Sequence, residues 1–166
     1  MWATVIAVVG TLAGGVLAGV VQARTARAGR AESRRDAWLA DAVAAVTALV
    51  VALADHRRAM WVLGDLRLSG ADKAAVAQAR SVTHETRSAV TAPLVTVSIL
   101  APMLARSAQR AVKAAYAMRN APDSSVLEVL RAGALETSDH FVDEAGAVFT
   151  HHLCVLPSKT NTPSKS

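Results

Sequence analysis

The first 23 residues, MWATVIAVVGTLAGGVLAGVVQA, carry no charged side chain, and five arginines crowd the next twelve positions. A helix of about 20 residues, rising ~1.5 Å per residue, spans the ~30 Å hydrocarbon layer of a bilayer. Its internal hydrogen bonds satisfy the backbone polar groups that lipid cannot. Residues 1–23 are therefore expected to be a transmembrane anchor, with Trp2 at one membrane interface. Arg24, Arg27, Arg30, Arg34 and Arg35, opposed only by Glu32 and Asp36, resist translocation. They predict a single-pass protein of the cell membrane, with the N-terminus outside and the C-terminal body in the cytoplasm. A cleaved signal peptide would carry its basic residues before the apolar stretch, not after it. A buried helix of a soluble domain rarely runs this far without a charge.

Two further features of this region bear on partners. Gly10/Gly14 and Gly15/Gly19 form two G-x-x-x-G pairs, a spacing that lets a second helix approach closely within the bilayer. Association of copies of the chain through the anchor is expected from them, although glycine is also common in transmembrane helices generally. Over residues 24–36, Arg24, Arg27, Arg30 and Arg34 fall on one face of a continuing helix. There they can meet anionic membrane lipids, at about 1 kcal/mol per residue.

The remainder of the chain has room for one modest domain. Hydrophobic residues make up 52% of the chain but only six are aromatic, so the core must come from many small contacts between Ala, Val and Leu. Helices lying side by side supply such contacts. Leu39, Val43, Val46, Val50, Leu53 and Met60 recur at helical spacing, and no proline interrupts residues 31–68. Ser69-Gly70 marks the end of this first helix and Asp72 the start of a second, running from about Lys73 towards Leu100. Its latter half is uncharged from Ser88 to Ala105, but Pro93, Pro102 and many Thr and Ser point to a kinked, buried helix and not a second span. A second crossing would also place Arg106, Arg110 and Lys113 outside. Pro102 suits the first turn of a third helix, ending near Asn120-Ala121-Pro122. Ser125-x-x-Glu128 has the pattern of a capping box opening a fourth, which continues through Leu127, Leu130, Leu135, Phe141, Val148 and Phe149.

The expected architecture is thus all-α: an N-terminal transmembrane helix, a basic juxtamembrane helix over 24–36, and an antiparallel bundle of about four long helices over 37–154. The Ser-, Thr-, Lys- and Pro-containing tail, 155–166, is expected to be disordered.

Chemistry finds little purchase in this pattern. His151, His152 and Cys154 have no second cluster at zinc spacing. Asp139, His140, Asp143 and Glu144 lack the partner Glu-x-x-His pairs of a di-iron bundle, and His84-Glu85 has no third member. No phosphate-binding loop, dinucleotide fingerprint or nucleophile elbow occurs. No catalytic residue, metal ligand or cofactor is assigned, and the chain is expected not to be an enzyme. The single cysteine excludes an intrachain disulfide. The positive charge leaves a DNA-binding module as the alternative function. From Arg24 to Arg119 there are 15 Lys and Arg against 7 Asp and Glu, whereas from Asp123 to Glu144 six acids face Arg131 alone. The densest basic run directly succeeds the apolar segment, where membrane topology accounts for it, so direct nucleic-acid binding is not expected.

The uncharged MWATVIAVVGTLAGGVLAG start, the arginine-rich continuation and the stretch LGDLRLSGADKAAVAQARSVTHETRSAVTAPLVTVSILAP resemble the KilB-type spread proteins of streptomycete conjugative plasmids. The likeness covers roughly residues 1–150 and rests on overall texture, so no functional residue is carried over. It implies a membrane-associated accessory role in intramycelial plasmid spread across septal cross-walls, beside a separate plasmid DNA translocase that supplies ATP-driven pumping. A membrane-anchored helical scaffold unrelated to plasmids is the plainer alternative.

Overall fold

The computed structural model describes the backbone of residues 2–154, with side chains described from Gly29 to His151 apart from Ala31. The chain is helical, with no strand among the described residues: α1 (Trp2–Leu68), α2 (Lys73–Leu100), α3 (Ala105–Ala117) and α4 (Ser124–Cys154). Short 3-10 turns, Pro102–Leu104 and Met118–Asn120, flank α3. Two compact units are present, Met1–Ala40 and Asp41–Ser166. In the first, Arg34 Nε donates to the Arg30 carbonyl at 3.2 Å, one turn back. The core lies in the second. The expected tail, 155–166, falls outside the described residues.

Helix boundaries follow local chemistry. Gly70 takes the left-handed conformation (φ +72°) that a side chain would disfavour. This lets Ala71 N–H bond back to the Leu66 carbonyl at 3.0 Å, capping the end of α1. Asp72 then caps α2, its carboxylate accepting from Ala74 N–H at 2.8 Å and Ala75 N–H at 2.9 Å. Pro102 sits at the start of the turn leading into α3, where its missing donor costs nothing.

The start of α4 departs from the sequence expectation. Asp123, not Ser125, is the capping residue: its Oδ1 accepts Val126 N–H at 2.9 Å and the Ser125 hydroxyl at 2.7 Å. Those bonds hold the Asp123 carboxyl below its ordinary range. Glu128, expected to close the capping box, instead accepts the Trp61 indole N–H at 2.8 Å. It thereby ties α4 to α1. A side chain that reaches across to another helix is not available to its own helix end.

The main core draws on all four helices. Leu49 and Leu53 from α1, Val90 and Val97 from α2, Ala108, Ala111 and Ala115 from α3, and Phe141 and Ala145 from α4 are buried together. A smaller cluster of Met60, Met118, Leu127 and Ala134 lies towards the other end of the body's α1 segment. The buried stripe of α1 keeps Val46, Leu53 and Met60 of the expected set and adds Ala42, Ala45, Leu49, Ala52 and His56, while Val43 is exposed and Val50 only half-buried. Alanines at the closest approaches let backbones draw together, which leaves Val43 and Val50 at the flanks. Gly64 shows the same logic, since a Cβ there would stand 2.7 Å from Leu127 Cδ2. On α4, Leu135 is likewise exposed, and the buried positions around it are Ala134 and Ser138.

Among the described residues, one helical segment is long and apolar enough to cross a membrane by length and composition alone: Glu32–Leu68, with a mean hydropathy of 2.1 over its most apolar window. Core helices of soluble domains pass the same test, and the buried residues of α1 come from this segment. The segment from Ser88 onward is part of a core-facing helix, α2, with Pro93 inside it and Val90 and Val97 fully buried.

Candidate functional site

The densest polar construction sits where α1, α2 and α3 meet. His56, on α1, is 2% exposed. Its Nδ1 lies 3.0 Å from Thr86 Oγ1. Thr86 Oγ1 also lies within donating reach of the Val82 carbonyl at 2.9 Å and the Thr83 carbonyl at 3.3 Å. When its proton is on a carbonyl the Thr86 oxygen accepts from His56 Nδ1, and in the other imidazole tautomer it donates to it. Tyr116 meets the imidazole edge-to-face at 5.1 Å between centroids, and Arg87 lays its guanidinium over the tyrosine ring, 4.4 Å from its centroid. Burial, and secondarily the charge of Arg87, push the His56 imidazole down to about 4. It is neutral at physiological pH.

That environment makes folding sensitive to acid. The unfolded chain takes up a proton on His56 near its ordinary pKa of 6.5, whereas the folded chain does so only near 4. Stability is therefore fully present above about 6.5 and falls as the pH drops through the interval down to 4. Thermal unfolding followed at successive pH values should show a declining Tm between pH 6.5 and 5, a trend flattened in His56→Gln. An unchanged slope in that variant would assign the acid sensitivity elsewhere.

Beside this node opens a cavity of about 590 Å³. Its wall takes Arg67 from the last turn of α1, Arg80, His84 and Arg87 from α2, and Arg119 and Asn120 from the turn after α3. No acidic residue lines it among the described residues. Spacings of four and three place Arg80, His84 and Arg87 on one face of α2, a pattern readable from sequence. That Arg67 and Arg119 join them is a product of tertiary packing. These are the functional candidates that the sequence reading missed.

The residues singled out from sequence are distributed differently. Gly10, Gly14, Gly15, Gly19, Arg24 and Arg27 lie outside the residues whose side chains are described. Arg30, Arg34 and Arg35 are exposed on α1 within the first unit. His140 and Glu144 pair on α4 at 3.5 Å, and Glu144 also meets Arg110 at 3.6 Å. These groups are largely exposed. No grouping of three or more His, Cys, Asp or Glu suited to a metal occurs among the described residues.

The family described as KilB plasmid transfer protein matches residues 43–152, which spans α1 from just after the core begins to near the end of α4. The chain belongs to that family. Protein KilB of Streptomyces lividans is 55% identical over 149 residues, covering 90% of this chain and 99% of that relative. No solved structure matches the chain. The residues matched by the family model contain both core clusters, His56 and the basic cavity.

Proposed function

We propose that the chain is a membrane-anchored, non-enzymatic accessory protein of conjugative plasmid transfer, acting in the spread of the plasmid through recipient mycelium. Membership of the KilB plasmid transfer family is the observation that carries the reading. The uncharged residues 1–23 and the arginines after them support a single-pass anchor with a cytoplasmic body. The body is proposed to be an antiparallel bundle, its four helices joined by short turns over a shared core. Copies associate through Gly10, Gly14, Gly15 and Gly19, and the assembly scaffolds a crossing point at septal membranes for the plasmid's DNA translocase. Arg24, Arg27, Arg30, Arg34 and Arg35 set the topology and meet anionic lipid head groups.

The test deletes the coding sequence from an otherwise intact plasmid. Transfer into recipients should persist, while the distance the plasmid then travels within recipient mycelium should shrink. In parallel, the chain should stay with membranes through alkaline carbonate washing and crosslink to itself there. Undiminished spread without the chain would refute the proposal.

A further inference from the structure

Arg67, Arg80, Arg87 and Arg119, all four exposed, line one concavity, and none of them makes an ion pair with an acidic side chain of the described residues. Elsewhere on the body arginines do find partners: Arg110 meets Glu144 and Arg131 meets Glu128. Like charges gathered in one cavity repel one another, and an anion seated between them removes that repulsion. Guanidinium groups offer the forked donors that match phosphate oxygens. Asn120 and His84 add neutral or titratable hydrogen-bonding groups on the same wall.

The shape and lining narrow the ligand. An open concavity near 590 Å³ is of the size that seats a small molecule, not a long stripe tracking a duplex. Among the described residues no Phe, Tyr or Trp lines it, and the neighbouring Tyr116 ring is already covered by Arg87 on its face and met by His56. Of the described lining residues, only the His84 imidazole offers an exposed ring, a small stacking face for a base. The recognised chemistry is then the phosphate chain itself.

We propose that this cavity binds a compact anion bearing two or more adjacent phosphate groups, held by Arg67, Arg80, Arg87 and Arg119. The site is built within the helical body, and its existence does not depend on how the anchor crosses the membrane.

The experiment uses the full chain in discs of zwitterionic lipid, titrated with tripolyphosphate at constant ionic strength by calorimetry. Saturable binding at one site per chain is expected, with a rise in Tm. Arg80→Gln and Arg119→Gln, which leave the Arg87–Tyr116–His56 stack in place, should each weaken binding on the order of tenfold. Arg106→Gln with Lys113→Gln, on α3 outside the cavity, should leave it unchanged. Separate arms present adenosine triphosphate without metal, vesicles with anionic phospholipid, and duplex DNA. Equal affinity for tripolyphosphate and the nucleotide supports recognition of the phosphate chain. Absence of saturable binding, equal affinity in the Arg80→Gln and Arg119→Gln variants, or a response confined to the vesicles or to duplex DNA would overturn the proposal.

Discussion

Phe141→Ala is expected to destabilise the helical body by about 3–5 kcal/mol, the range for truncating a fully buried aromatic side chain. Phe141 is 0% exposed and lies in the cluster that gathers Leu49, Leu53, Val97, Ala108 and Ala111. Its weight comes from its neighbours. Alanines fill much of that core, so one phenyl ring supplies apolar contact that small side chains cannot, and none of them can expand into the space it would leave. Domains are stable by only about 5–15 kcal/mol, so this single change removes a large part of the total. Urea unfolding followed by far-ultraviolet circular dichroism measures it. Phe149→Ala is the comparison: Phe149 is half-buried at the margin of the same cluster, and its loss should cost less than half as much. Equal costs at the two positions would mean that the body's stability is not centred where its buried residues are.

The second large effect concerns the proposed anchor. Charged groups near the middle of a membrane helix cost about 2.5–3.5 kcal/mol each for insertion. Leu12→Asp combined with Val16→Asp therefore opposes insertion of residues 1–23 by about 5–7 kcal/mol. Against a segment rich in glycine and alanine, whose own apolar gain is modest, this should move the chain from the membrane pellet to the soluble fraction. Leu12→Ile with Val16→Leu keeps the apolar character and should stay in the pellet. Because the substitutions fall before the residues that build the core, helical content and the unfolding midpoint of the body should be unchanged in both variants. Retention of the double-aspartate chain on carbonate-washed membranes would show that something other than residues 1–23 holds it there.

Much of the secondary structure was legible because its punctuation is local. Asp72 before Lys73, Pro102 before α3 and the Asn120-Ala121-Pro122 break each act through the backbone of adjacent residues, and the helices end where those residues predict. The facing of each helix was harder to read. A stripe drawn through the larger apolar residues finds Val46, Leu53 and Met60, which are buried, but also takes in the exposed Val43 and the half-buried Val50 and omits Ala42, Ala45 and Leu49. Closeness of approach, as well as side-chain size, decides which face turns inward in an alanine-rich body. Glu128 was misplaced for a related reason: its spacing from Ser125 suits a capping box, but Trp61, 67 positions earlier, competes for the same carboxylate and Asp123 does the capping. The basic cavity was half legible. Arg80, His84 and Arg87 share a face by spacing alone, while Arg67 and Arg119 are brought beside them only when α1 and α3 pack against α2.

Under the proposed function, the folded helical body works in plasmid transfer only while residues 1–23 keep it at a membrane. The direct measurement is the distance a plasmid spreads through recipient mycelium when it encodes either the natural chain or the variant with aspartate at positions 12 and 16, at matched protein levels. Spread should fall to that of a plasmid lacking the chain, although the variant's body remains folded. Full spread from a variant recovered entirely in the soluble fraction would contradict that dependence on the membrane.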